Sequence, residues 1–203
     1  MTATAQQVAL DVRDAGEGLV RLARLDPDWR GYFDASSSGF MRSFAGPVLA
    51  IIPYLFVAAM LARTGPAGIG PSSERLMMQA AIEMLADGFG FPLVMALAAR
   101  AFGLGEGFGA FVVVINWSQL FLNLLLACAS LFAMLGPNGY AAFKVAWLVQ
   151  LFLGLFITWR AARQTLSADV APAMLSVVLS VAVNAAAAQL AATLVPIALQ
   201  TAA

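Results

Sequence analysis

Residues 108–135 read FGAFVVVINWSQLFLNLLLACASLFAML, a stretch without a single charged side chain. It is longer than the ~20 apolar residues that cross the ~30 Å hydrocarbon core of a bilayer. In lipid only helices and closed barrels satisfy every backbone hydrogen bond, and this run is too long and too little alternating for a barrel strand. The stretch therefore reads as a transmembrane helix. Working outward, similar spans are expected at about 44–62, 76–99, 141–159 and 170–199. The fold class is all-α: a polytopic integral membrane helical bundle of about five transmembrane helices, preceded by a short cytoplasmic amphipathic helix. Two regions follow from this, an interfacial N-terminal segment (1–43) and the bundle (44–203).

Composition leads to the same conclusion. The chain of 203 residues is 62% hydrophobic and 11% charged, with a mean hydropathy of +0.86. A water-soluble domain of this size has too little interior to hide so many apolar side chains. Eleven basic and eleven acidic residues cancel, so no field gathers nucleic acid. With no histidine and one cysteine, Cys128, the usual metal and haem ligands are missing, and neither metal nor cofactor is expected. No histidine stands beside a serine or cysteine nucleophile, so the sequence gives no support to an enzyme. The glycine-rich run Gly103 to Gly109 follows a helix rather than a strand and lacks the Walker lysine, which makes it an inter-helix loop and not a phosphate cradle.

The charges concentrate ahead of the first span. Val8, Val12, Ala15, Leu19 and Leu22 draw one apolar stripe along a helix, with Asp11, Asp14 and Glu17 early and Arg21 and Arg24 late, as the helix dipole favours. Gly16 and Gly18 weaken that helix, and Asp26–Pro27 should end it. No apolar run of signal-peptide length precedes it, so the N-terminus is expected to be retained. Ser36, Ser37 and Ser38 are N-cap candidates for a helix opening at Gly39. Trp29, Arg30, Arg42, Trp159 and Arg160 are expected to act as interfacial anchors, with rings in the headgroup layer and guanidinium groups reaching phosphates. Counting Lys and Arg by side places eight with the N-terminus and three (Arg63, Arg75 and Lys144) opposite. The positive-inside rule then puts the N-terminus in the cytoplasm and the C-terminus outside, in a membrane expected to be the bacterial inner membrane.

The candidate site lies inside the spans. Glu83 and Asp87, four apart, share one helix face, and the Gly88–Pro92 stretch beside them favours a kink or break that frees backbone groups. Carboxylates in lipid cost about 2.5–3.5 kcal/mol each on insertion scales, so they face a cavity or a partner. Lys144 is the structural partner to weigh, through a snorkelling ion pair. Asn116, Gln119 and Asn123 form one polar row in the third span; Ser176, Ser180 and Asn184 form another in the fifth. Each row can bind a neighbouring helix, or with Glu83 and Asp87 line a polar pathway. The alanines at 182, 185, 186, 188, 191 and 192 leave the fifth helix smooth enough for close approach, within the bundle or to another protein.

A charged cytoplasmic N-terminal region followed by five closely spaced spans over Phe44–Leu199 and almost no tail resembles, in layout, the YIP-type family of small polytopic membrane proteins. The segments Asn116–Gln119 and Lys144–Arg163 are where bacterial relatives would share residues. The resemblance implies a non-enzymatic membrane protein; eukaryotic members are associated with small GTPases and vesicle membranes. Two functions compete. One is a scaffold or accessory subunit of an inner-membrane complex, with the bilayer and a membrane-protein partner or homo-oligomer as neighbours. The other is a small proton- or cation-linked transporter or channel using Glu83 and Asp87. A lipid-acting enzyme, resting only on the polar rows, comes third.

Overall fold

The computed structural model describes residues 3–64, 73–166 and 169–201. Among them the chain is helical, with no strand. Helix α1 (Ala3–Ala23) runs unbroken through Gly16 and Gly18, and buries Ala15, Leu19 and Leu22 of its stripe. It ends before Asp26–Pro27, because Leu25 takes a left-handed backbone (φ 65°). There the Asp26 N–H reaches the Arg21 carbonyl (3.0 Å) and the Leu25 N–H that of Leu22 (3.1 Å), satisfying carbonyls the last turn leaves open. A 3-10 helix, Pro27–Tyr32, starts from Asp26, whose carboxylate accepts the Asp28 N–H at 2.9 Å. Helix α2 (Ser37–Ser43) is capped by Ser36, whose hydroxyl oxygen accepts the Gly39 N–H at 3.1 Å.

Five stretches are long and apolar enough to cross a membrane. The first joins α2 to α3 (Ala45–Thr64), which keeps Pro53 in its interior. The second comprises α4 (Ser73–Leu85), a π-helical turn (Ala86–Gly90) and α5 (Phe91–Ala101). The third is α6 (Gly105–Ser130), extended by a 3-10 turn to Leu135. The fourth and fifth are α7 (Pro137–Thr165) and α8 (Val170–Thr201). The helices overrun the apolar stretches at their charged ends: α7 carries on past Trp159 through Arg160 and Arg163. The loop expected from Arg63 to Arg75 is shorter than its composition suggests, since Arg63 and Thr64 close α3 and Ser73 to Arg75 open α4; residues 65–72 lie outside the described residues.

Helix α6 is the central post, and every residue from Phe111 to Ser118 is buried. Helix α3 runs parallel to it, Gly46 lying against Asn116 and Val57 against Leu126 and Ala127. Their backbones nearly touch: a Cβ at Gly46 would sit 2.3 Å from the Asn116 carbonyl oxygen. Helix α7 returns antiparallel, with Gly107 at the Thr165 carbonyl and Gly154 near Leu122. Helix α4 packs on α3 and α8, whereas α7 packs on α6 and α8.

The N-terminal region closes one end of this post as a cap. Leu19, Leu22 and Trp29 join Met95, Phe111, Val112 and Ala161 in one apolar cluster. Fully burying Leu22 and Trp29 contributes roughly 2 kcal/mol or more each. The amphipathic stripe is thus spent on this chain's own α6 and α7.

Candidate functional site

The local break at Asp87 follows from backbone accounting. In the π turn the Phe91 N–H bonds back to the Ala86 carbonyl, five residues away. The next donor in that register is Pro92, which has no N–H, so the Asp87 carbonyl is left open. Gln119 on α6 fills the gap, its Nε2 donating to that oxygen at 2.7 Å. A freed carbonyl inside a span is tolerated only when a neighbour supplies such a donor. The expected helix break is therefore a widened turn stitched to the central post.

Around the turn the carboxyl groups meet two neighbouring helices. From α3, the Tyr54 hydroxyl donates to Glu83 Oε2 at 2.5 Å. From α8, the Asn184 amide lies beside the Asp87 carboxyl, and Glu83 is close enough to Asp87 to interact through charge. Lys144 is elsewhere: its Nζ lies 5.1 Å from the Tyr140 ring centroid, on a helix that packs against α6 and α8 rather than α4. The Lys144 ion pair weighed from sequence does not form, and the ion pairs among the described residues all join side chains between Asp11 and Arg42. What surrounds Glu83 and Asp87 is a set of neutral hydrogen-bonding groups.

The polar rows divide. Asn116 and Gln119 bridge segments, Asn116 Nδ2 donating to the Ser43 hydroxyl at 3.0 Å. Asn123, Ser176 and Ser180 instead donate to carbonyls three or four residues back in their own helices. Asn184 Nδ2 does so too, at 3.0 Å from the Ser180 carbonyl. The row in α8 is thus mostly internal, and only Asn184 faces the carboxyls. Tyr54 was the residue the sequence did not single out; it is a hydroxyl-bearing side chain in an apolar span, but its partner lies one helix away.

The interfacial anchors are also redistributed. Trp29 is fully buried, and its indole N–H donates to Gln164 Oε1 at 2.7 Å. A ring that closes the protein core is not lying among headgroups, which corrects the sequence reading. Arg42 is held by Asp11 and Asp34, both at 2.6 Å, and does not reach outward to phosphate. Ser36 and Arg42 hold the Asp34 carboxyl below its ordinary range. The Asp28 N–H, then Arg21, do the same for Asp26. Arg30 Nη1 donates to the Gln164 carbonyl at 2.9 Å, Trp159 is half-buried at the edge of the core, and Arg160 is partly buried beside it. Asp11, Asp34 and Trp117 line a pocket of about 180 Å³ under the cap, which the sequence did not signal because its residues come from separate segments.

Among known families, characterised proteins and solved structures, none matches this chain.

Proposed function

We propose that the chain is a non-enzymatic integral membrane protein that works as a small proton- or cation-linked carrier through Glu83 and Asp87. The observation that supports this reading is a pair of carboxyls inside a span, beside a π turn, with neutral partners and no paired cation. Charge in hydrocarbon is costly, so such a pair binds one positive charge, as a proton or a small cation, and releases it when the surroundings change. Widened turns of this kind recur at functional sites. The proposed setting is the bacterial inner membrane with the N-terminus cytoplasmic. It keeps the YIP-type likeness as one of layout.

The test is flux into proteoliposomes carrying a pH-sensitive dye. Wild type is expected to dissipate an imposed proton or cation gradient; Asp87→Asn and Glu83→Gln, checked for folding, are expected to lose that flux. Equal flux from all three proteins would sink the mechanism.

A second reading, an accessory subunit, is supported by α8. Between Val181 and Val195 its buried residues are Ala187, Ala191 and Val195, leaving Ala185, Ala186, Gln189 and Thr193 exposed. Exposed polar groups within a span favour a helical neighbour. Gentle extraction from the native membrane followed by mass spectrometry tests this: a stoichiometric partner supports it, and a lone chain refutes it.

A further inference from the structure

The clasp of Trp29 on Gln164 seats the cap, and the pocket of about 180 Å³ lies between the seated cap and α6. Three segments build it. Gln7, Asp11 and Asp14 stand at i, i+4 and i+7 on one face of α1. Tyr32, Phe33 and Asp34 come from the end of the 3-10 helix and the residues after it, and Trp117 comes from α6. Asp14 and Asp34 are exposed at the rim, whereas Trp117 is 2% exposed and forms the floor.

Charge in this pocket is unbalanced. Arg42 answers both Asp11 and Asp34, one guanidinium against two carboxylates. Asp14 takes part in no ion pair among the described residues. Arg21, stacked on the Tyr32 ring at 4.7 Å, is matched by Glu17 and Asp26. The pocket therefore favours a positive charge. Among the described residues no three acidic side chains are grouped closely enough to hold a metal ion, so the charge that suits it belongs to an organic cation, which aromatic rings also attract.

Trp117 adds an independent sign. Its indole N–H, unlike that of Trp29, has no acceptor among the described residues, and the sliver of the residue left open includes that nitrogen. Because Trp117 lines the pocket, the N–H is aimed into it. A donor so enclosed calls for an oxygen. One ligand meets both demands when it carries an ammonium for the carboxylates and an oxygen for the indole. The volume is below the roughly 300–1,000 Å³ of drug-sized sites, which limits that ligand to a few non-hydrogen atoms.

We propose that the pocket binds a small amino alcohol, its ammonium against Asp11, Asp14 and Asp34 and its oxygen on the Trp117 N–H. The same ammonium-and-oxygen unit occurs free, as ethanolamine, and in the headgroup of phosphatidylethanolamine.

The experiment is equilibrium dialysis of the full-length protein, in mild detergent at neutral pH, against radiolabelled ethanolamine. Wild type is expected to bind one equivalent saturably, and ethylamine, which lacks the oxygen, to compete about tenfold less well. Trp117→Phe keeps a ring but not the donor. It should lose that tenfold advantage while ethylamine binds as before, an outcome that mere misfolding does not produce. Asp14→Asn, at an exposed position, should weaken both amines about tenfold, and Glu106→Gln, an exposed carboxylate outside the pocket, should weaken neither. If Trp117→Phe fails to fold, Asp14→Asn carries the test. Competition by glycerophosphoethanolamine equal to that by ethanolamine would assign the pocket to the lipid headgroup. Competition at least tenfold weaker, the result expected when carboxylates repel a phosphate, would assign it to the free amine. Absence of saturable binding, equal competition by uncharged ethylene glycol, or equal affinity in wild type and Asp14→Asn would overturn the site.

Discussion

Placing a single methyl group at Gly46 tests the packing on which the bundle rests. An alanine Cβ there would stand 2.3 Å from the Asn116 carbonyl oxygen and 2.8 Å from its carbon, both backbone atoms that no rotamer change can remove. Restoring ordinary contact, 3.4 Å or more, requires α3 and α6 to part by about 1 Å. The same opening stretches the 3.0 Å bond from Asn116 to Ser43, three residues away, towards about 4 Å, where it no longer counts as a hydrogen bond. Overpacking of this kind costs about 1–3 kcal/mol and a lost buried hydrogen bond about 1 more, giving roughly 2–4 kcal/mol for Gly46→Ala. Heat or SDS titration of the purified protein in mild detergent, followed by tryptophan fluorescence, reads this directly. Gly107→Ala should cost at least as much, since its Cβ would overlap the Thr165 carbonyl; Gly105→Ala, with nothing within 4 Å, should stay within about 0.5 kcal/mol of wild type. A Gly46→Ala protein as stable as wild type, or a Gly105→Ala protein that falls with it, would refute the reasoning.

Other consequences can be checked in the same preparation. Leu25→Gly is expected to stabilise the cap by about 1 kcal/mol, because glycine relieves the left-handed backbone while a 58%-exposed leucine gives up little burial; unchanged or lower unfolding midpoints would contradict it. Trp29→Phe keeps a ring but deletes the bond to Gln164, and should speed tryptic cleavage at Arg24 and Arg30 while the spans stay folded; cleavage at the wild-type rate would count against the clasp. The carboxyls of Asp26 and Asp34 are held below their ordinary range, so their contribution is complete above about pH 4 and is lost as pH falls through the folded-state values. Hydrogen exchange over residues 24–36 should therefore be flat from pH 7 to pH 5, after correction for intrinsic rates, and rise only under more acidic conditions. A rise between pH 7 and pH 5 would contradict the assignment.

The spans were legible in the sequence because each is a long apolar run whose length only a bilayer explains, and the stripe on α1 was legible because its spacing is that of a helix. Where that stripe docks was not, since amphipathicity gives a face and not a partner: headgroups and the α6 surface ask the same of Val12 and Leu19. Trp29 shows the ambiguity most clearly. A tryptophan between charges reads as an interfacial ring, yet a glutamine 135 residues away supplies the acceptor that lets it bury completely. Around Asp87 the sequence exposed the cause, a proline placed to remove a donor, but the remedy on Gln119 required knowing that α6 stands alongside. The Lys144 pairing failed for a similar reason. Depth from one side of a membrane places two residues at one level without placing them on facing helices.

Depth itself bears on the carboxyls. Glu83 lies ten residues into α4, about 15 Å from its start at 1.5 Å per residue. Asp87 is deeper again, level with Gln119, which stands roughly 21 Å from the start of α6 and roughly 24 Å from Leu135. The cap covers the near end of α6 and α7, where Ile157, Thr158, Ala161 and Ala162 are buried, whereas Trp147 to Phe152 are largely exposed and Gly139 and Phe143 are buried again at the far end. The uncovered belt of α7 is thus its middle, between the cap and the buried Gly139 and Phe143. Glu83 and Tyr54 lie on the far side of the Asp87 turn from the cap, because α4 runs from the far end down to it. Asp87 thus sits near the middle of the Glu74–Ala101 stretch, with Glu83 about one turn from it. Their neutral partners on α3 and α8 then carry the whole task of accommodating them, and the addition of one positive charge is the change to which that arrangement would respond most strongly.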